Sequence, residues 1–230
     1  EEKWRPILKP NPDFDRALQH EGVTCAACHY RDGEILGTKG GEGAPHPVRR
    51  IGDSNEMCRR CHVVGGDRWD TFYRLPPCGT IAEIQSTQQP AGDASGTANG
   101  CVQCHMPLTE RPVVAGGTAR AVRMHLWRGG HDPDAVKKGL SVTFEETPRA
   151  PREARSFALT ITNVGAAHYL PTGTPDRHLT VAIRLLDQKG ALLRETEHVL
   201  SRVIMWRPFI VDLWDSRLPR GEPRVYRLEY

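Results

Sequence analysis

Six of the seven cysteines occur in three copies of one short pattern, in which two cysteines three positions apart are followed directly by a histidine. The copies are Cys25-Ala-Ala-Cys28-His29, Cys58-Arg-Arg-Cys61-His62 and Cys101-Val-Gln-Cys104-His105. Disulfides, a zinc site and a thioredoxin-like redox pair are the competing interpretations. Disulfides need no histidine after each pair, and three copies do not divide into the ligand sets that zinc prefers. The repeat therefore predicts the attachment of three c-type haems.

The spacing of the pattern suits the chemistry of haem attachment. The two thiols add across the two vinyl groups of one porphyrin, and the histidine that follows becomes the proximal ligand of the iron. The expected cofactors are three haem c groups, and the expected proximal ligands are His29, His62 and His105. Because c-type haem is attached on the outer side of an energy-transducing membrane, we expect a periplasmic or extracellular protein whose signal peptide is absent from this sequence.

Composition excludes several classes of protein. In 230 residues, 31 basic and 28 acidic side chains give a net charge of +3, which is too even for a nucleic-acid binder. No apolar stretch approaches the roughly 18 residues of a membrane-spanning helix. Hydrophobic residues make up 38% of the chain, a low share for a self-sufficient core. We therefore expect no nucleic-acid partner, no transmembrane segment, and a core completed by porphyrin.

The composition changes near residue 139, and the part before it contains all seven cysteines and most of the 22 glycines. Capping pairs, an N-terminal proline or a closing glycine predict short helices there. These signals occur at Asp53–Glu56 ahead of the second motif, Thr80–Gln88, Thr118–Arg128 and Asp132–Gly139. The polar segment Ser86–Gly100 predicts a loop, and we expect few strands. Residues 1–139 are thus predicted to form a haem-organised domain of helices and loops.

From Leu140 onward, apolar residues alternate with polar ones, which is typical of strands. The alternation is clearest at Val142–Phe144, Phe157–Ile161 and Leu179–Leu185, with further runs at Val203–Met205, Phe209–Leu213 and Val225–Leu228. Asp187-Gln188-Lys189-Gly190 predicts a hairpin turn. The pattern indicates an immunoglobulin-like antiparallel β-sandwich over residues 140–230, with a β-barrel as the alternative. The predicted class is therefore α+β, in two parts.

Several segments carry a family resemblance. The three motifs, His20 ahead of the first motif, Ala44-Pro45-His46-Pro47 and Cys104-His105-Met106-Pro107 resemble periplasmic multihaem cytochromes c. The nearest group contains pentahaem nitrite reductase and hydroxylamine oxidoreductase. The segment Asn163–Gly173 is similar to one found in multihaem cytochromes with an appended β-sandwich. The resemblance implies an exported haem protein of this class.

Three irons need three distal ligands, and the chain offers more histidines than that. Resemblance to the group favours His46, between two prolines, and His125, on the predicted helix. His20 lies too close to the first motif to reach its own haem, so it is predicted to serve a neighbouring one. His131 and His168 are reserve candidates, whereas His178 and His198 are interpreted as structural. The surplus favours bis-histidine haems of low potential.

Cys78 lies outside the three motifs. It is interpreted first as a small buried hydrophobe, and otherwise as a haem ligand, a catalytic thiolate or the site of an intermolecular disulfide.

Two functions stay open at this point. The first is an electron-transfer cytochrome that relays electrons between exported redox partner proteins, as a homo-oligomer or as a subunit of a larger complex. The second is a haem enzyme with one open iron acting on a nitrogen oxide, hydroxylamine, peroxide or a sulfur oxyanion. The histidine surplus favours the electron carrier, so no catalytic residue is predicted.

Overall fold

The computed structural model of the chain describes residues 15–38, 40–62, 78–87, 100–148, 154–205 and 211–230. The chain divides into two compact units, residues 1–57 and 58–230. The boundary that composition predicts, between residues 139 and 140, falls inside the second unit and stays a prediction. None of the helices in the described ranges is long and apolar enough to cross a membrane.

The first unit contains a small sheet built around a tight hairpin. Its elements are a 3₁₀ helix at Leu18–His20, helix α1 at Cys25–His29, and strands β1 (Tyr30–Arg31), β2 (Glu34–Gly37) and β3 (Val48–Arg50). Asp32 and Gly33 join β1 to β2 with φ angles of 53° and 83°. Positive φ at both central residues belongs to the type I′ turn, for which Asp-Gly is a favoured pair. Strand β3 extends the sheet by pairing in parallel with β2.

Four short helices follow, and local side-chain hydrogen bonds are found at the start of two of them. They are α2 (Glu56–His62), α3 (Thr80–Thr87), α4 (Cys101–His105) and α5 (Pro133–Gly139). Before α2, Asp53 Oδ1 accepts a hydrogen bond from Asn55 N at 2.9 Å. Asp132 caps α5 by accepting from the amides of Asp134 and Ala135. The helices predicted at the second motif, at Thr80 and at Asp132 are therefore confirmed.

The helix predicted over Thr118–Arg128 is wrong. That segment contains strand β5 (Arg120–Arg123), which pairs antiparallel with β4 (Leu108–Arg111). Gly116, with a φ of 73°, lies in the connection between the two strands. The physical reason is that pairing between the two strands, over four residue pairs, stabilises an extended conformation that local helix signals do not reveal. The described part of residues 15–139 contains five short strands, where few were expected.

The remaining strands form two three-stranded antiparallel sheets. The strands are β6 (Leu140–Thr147), β7 (Ser156–Asn163), β8 (His178–Leu186), β9 (Leu192–Met205), β10 (Val211–Asp215) and β11 (Pro223–Glu229). One sheet has the order β11-β7-β6 and the other β10-β9-β8. The predicted turn at residues 187–190 joins β8 to β9, where Asp187 Oδ1 accepts from the amide of Lys189. Residues 206–210 and 88–99, parts of the predicted Phe209–Leu213 strand and Ser86–Gly100 loop, lie outside the described residues.

The hydrophobic core of the described residues lies between these two sheets. One buried cluster contains Ile161, Val181, Leu200 and Leu218, and a second contains Phe157, Ile183 and Leu228. Strands of both sheets contribute to each cluster. The chain is thus α+β, with more strand than helix.

Candidate haem-binding site

Each of the three repeated motifs forms a single turn of helix. They occupy α1, the second half of α2, and α4. Residues three apart lie on the same face of a helix, so both thiols of each motif point to one side. None of these six cysteines forms a disulfide. Among the described residues, no group of three or more His, Cys, Asp or Glu side chains is gathered to hold a metal ion by itself.

Backbone carbonyls orient two of the three expected proximal histidines. His29 Nδ1 hydrogen-bonds to the carbonyl oxygen of Leu36 in β2 at 2.8 Å, and His105 Nδ1 hydrogen-bonds to that of Arg128. Because a carbonyl oxygen only accepts, each Nδ1 carries the proton, and the lone pair of the neutral ring is on Nε2. A ligating histidine normally has its second nitrogen held in this way. Both residues therefore fit an iron ligand.

The second and third motifs lie next to each other in the second unit. The thiol of Cys58 hydrogen-bonds to the thiol of Cys101 and lowers the pKa of Cys101 to about 6, against the effect of burial. The second and third motifs thus contact each other through one attachment thiol from each. Two porphyrins attached at these positions would be close neighbours.

Cys78 has polar neighbours, so its interpretation as simple apolar packing does not describe its surroundings. A hydrogen bond with His62 lowers the pKa of the half-buried Cys78 thiol to about 7, with a further contribution from Thr80. The same contact raises the pKa of His62. Cys78 Sγ lies 3.4 Å from Thr80 Oγ1, which lies 2.8 Å from Thr172 Oγ1. The thiol therefore belongs to a hydrogen-bonded chain that joins the second motif to the segment at residues 163–173.

A buried carboxylate holds that segment against helix α3. Glu83 Oε2 accepts hydrogen bonds from the amide of Tyr169 at 3.1 Å and from Thr172 Oγ1 at 2.6 Å. Its Oε1 pairs with the guanidinium of Arg217 at 2.5 Å. Residues 163–173 thus pack against helix α3, which lies before residue 139 in the chain. In the sequence, Glu83 stands three residues after Thr80, the spacing of a capping pair, and no local signal points to Arg217, 134 positions away.

The distal candidates differ in their surroundings. His20, His46, His125 and His131 are exposed. His125 Nδ1 contacts the carbonyl oxygen of Arg123 at 3.1 Å, next to Trp127. His168 is half-buried, and burial lowers its pKa. Its ring lies beside that of His105, with centroids 6.3 Å apart and planes inclined by 16°. His168 is therefore the candidate that the fold brings to a proximal histidine.

Comparison with known proteins gives a similarity of fold. No family model matches the chain, and no curated protein matches it. Among solved structures, its fold is similar to that of a penta-heme cytochrome c552 from Thermochromatium tepidum, with a TM-score of 0.54 over 80% of this chain. The two chains are 21% identical, and the match spans 47% of the other chain, so this chain covers about half the length of that cytochrome. The chain thus shares its fold with a multihaem cytochrome c.

Proposed function

We propose that this chain is an exported cytochrome c that carries three covalently attached haems and transfers electrons between redox partner proteins. The observation that carries the proposal is the repetition of one local arrangement: three helical turns, each with two thiols on one side and a terminal histidine. Haem c bound there would supply a one-electron Fe(III)/Fe(II) couple. The fold of the penta-heme cytochrome supports the same class of protein.

The residues have distinct roles in this proposal. The six motif cysteines hold the porphyrins through thioether bonds. His29, His62 and His105 ligate iron through Nε2, and the carbonyl oxygens of Leu36 and Arg128 fix two of these rings. The distal ligands come from His20, His46, His125, His131 and His168. Histidine on both faces of each iron favours low potentials.

We also propose a role for the sheets of residues 140–230. They form an immunoglobulin-like sandwich that docks a redox partner, a second copy of this chain or another subunit of a larger electron-transfer complex. The support for this role is that the core of this part is made by its own strands, which leaves its outer faces available for contact. A periplasmic or extracellular location follows from the attachment chemistry, because c-type haem is added outside the cytoplasm.

Haem stoichiometry tests the proposal directly. The protein produced in a host that matures c-type cytochromes is expected to contain three haems per chain, measured by mass spectrometry and by the pyridine haemochrome spectrum. Each double replacement, such as Cys101→Ala with Cys104→Ala, is expected to remove one haem because both thioether bonds of that porphyrin are lost. Cys78→Ala is the matched control and should retain three. A wild-type chain with fewer than three haems would contradict the proposal.

Carbon monoxide separates an electron carrier from a haem enzyme. If histidine binds both faces of each iron, carbon monoxide added to the reduced protein without oxygen should leave its absorption spectrum nearly unchanged. The expectation follows from the supply of ligands, since five histidines are candidates for three distal positions. Binding of one carbon monoxide per chain in the wild-type protein would contradict the simple electron carrier and favour an enzyme with one open iron.

A further inference from the structure

The rings of His105 and His168 lie nearly parallel, at a separation that a shared metal ion would also produce. Their centroids are 6.3 Å apart, and their planes are inclined by 16°. Two imidazoles bound through Nε2 to opposite faces of one iron, with metal–nitrogen bonds of about 2 Å, bring their centroids about 6 Å apart. Two histidine rings that pack against each other without a metal have centroid distances in the same broad range. The hydrogen bonds of the two rings therefore help to distinguish a shared metal from simple packing.

Both rings use Nδ1 in the same way. His105 Nδ1 donates to the carbonyl oxygen of Arg128, and His168 Nδ1 donates to that of Tyr169 at 2.8 Å. Each neutral ring therefore has its lone pair on Nε2. Two nitrogens that only accept cannot hydrogen-bond to each other. A metal ion bound by both nitrogens would use both lone pairs.

The segment that carries His168 is anchored on both sides of the histidine. Asn163, which is fully buried, donates from Nδ2 to the carbonyl oxygen of His168 at 2.8 Å and accepts from the amide of Ala166. The next amide, that of Tyr169, donates to Glu83 Oε2 at 3.1 Å. Leu170 exchanges two backbone hydrogen bonds with Leu218. His168 is thus held in place by the chain itself, as a rigid ligand position requires.

We infer that His168 is the distal ligand of the iron whose proximal ligand is His105. The inference rests on the proposed function and deepens it, because it assigns one distal ligand to one haem. His168 precedes strand β8, so a ligand from the segment between the sheet strands β7 and β8 completes a haem attached before residue 139. Asn163 and Glu83 act as positioning residues, since they hold the backbone on either side of the ligand.

The test replaces His168 in the complete, haem-loaded protein. His168→Ala should keep three haems per chain, convert one low-spin ferric centre to high spin in the electron paramagnetic resonance spectrum, and allow one carbon monoxide to bind per reduced chain. Added imidazole should restore the low-spin signal by filling the vacancy. His178→Ala, at an exposed histidine of the same part of the chain, is the matched control and should leave all three centres low-spin.

A second background ties the effect to the third motif. When Cys101 and Cys104 are replaced by alanine, the haem beside His168 is absent, and adding His168→Ala should leave the remaining two centres unchanged. A high-spin signal in that triple variant would overturn the assignment. A His168→Ala protein with three low-spin haems would also overturn the assignment. The contradiction would be stronger if His125→Ala produced the high-spin centre.

Should His168→Ala fail to accumulate, His168→Met keeps a ligand of different chemistry at the same position. One reduction potential of the three should then rise, because a thioether favours ferrous iron more than an imidazole does. Three unchanged potentials would overturn the inference. None of these results alters the count of three haems in the wild-type protein, on which the proposed function depends.

Discussion

Without haem attachment, helices α1, α2 and α4 and the β4–β5 hairpin are expected to unfold, while strands β7, β8 and β9 keep their structure. The reason is the distribution of buried apolar side chains. In the described part of residues 15–139, only Leu36 and Val102 are buried hydrophobics. Seven others lie after residue 139, at Phe157, Ile161, Val181, Ile183, Leu200, Leu218 and Leu228.

The free energies of apolar burial and of backbone ordering both favour this outcome. Burying one large apolar side chain contributes about 1.5–3 kcal/mol, whereas ordering the backbone of a single residue costs about 1–2 kcal/mol. Two buried side chains cannot order the helices and the hairpin of residues 15–139. In the proposed cytochrome, the porphyrins would supply the missing apolar surface.

Hydrogen exchange measures the effect along the chain. In a variant with all six motif cysteines replaced by alanine, amides of α1, α2, α4 and the β4–β5 hairpin should exchange near the rate of an unfolded chain. Amides of β7, β8 and β9 should keep the protection that they have in the haem-loaded protein. Cys78→Ala is the control, since it leaves the attachment sites intact. Native protection of α4 in the haem-free variant would show that its fold does not depend on the cofactor.

Arg217→Met is expected to destabilise the haem-loaded protein by about 3–5 kcal/mol. The side chains of Arg217 and Glu83 are each 6% exposed, so the variant leaves a carboxylate buried without its main positive partner. Adding Glu83→Gln should recover part of the loss, because the amide removes the charge and its oxygen can still accept from Tyr169 and Thr172. Guanidinium unfolding followed by far-ultraviolet circular dichroism gives the free energies.

A surface ion pair of similar length serves as the control. Arg184 and Glu195 lie 2.6 Å apart, but their side chains are 60% and 31% exposed. Water screens such a pair, so Arg184→Met should cost about 0–1 kcal/mol. If Arg184→Met and Arg217→Met lowered the free energy of unfolding equally, burial would not be the reason that the Arg217–Glu83 pair stabilises the protein.

The parts of the fold that short-range signals specify could be predicted from the sequence. Capping by Asp132 with Pro133 predicted α5, and the two-residue alternation through Leu179–Leu185 predicted β8. The β4–β5 hairpin was missed because its strands are stabilised by each other, and neither segment alone has a strong strand pattern.

The same division holds for the candidate site. The motif residues are recognised from their spacing alone, since attachment chemistry fixes that spacing. His168 is only a reserve candidate from the sequence, and its pairing with His105 could not be predicted. That contact depends on the pairing of β6 with β7 and on the hydrogen bond from Asn163 to the carbonyl oxygen of His168. Glu83 is a similar case: its partner Arg217 lies 134 positions away in the sequence.

If the proposed haems are bound, the carbonyl oxygens that hold His29 and His105 would also affect the rate of electron transfer. An imidazole whose Nδ1 is fixed by Leu36 or Arg128 would have little freedom to turn when the charge of the iron changes by one unit. Few atoms would then have to move as an electron arrives or leaves, and the reorganisation energy of each transfer would stay low. The backbone of β2 and the loop after β5 would thus prepare the proposed irons to exchange electrons quickly in either direction.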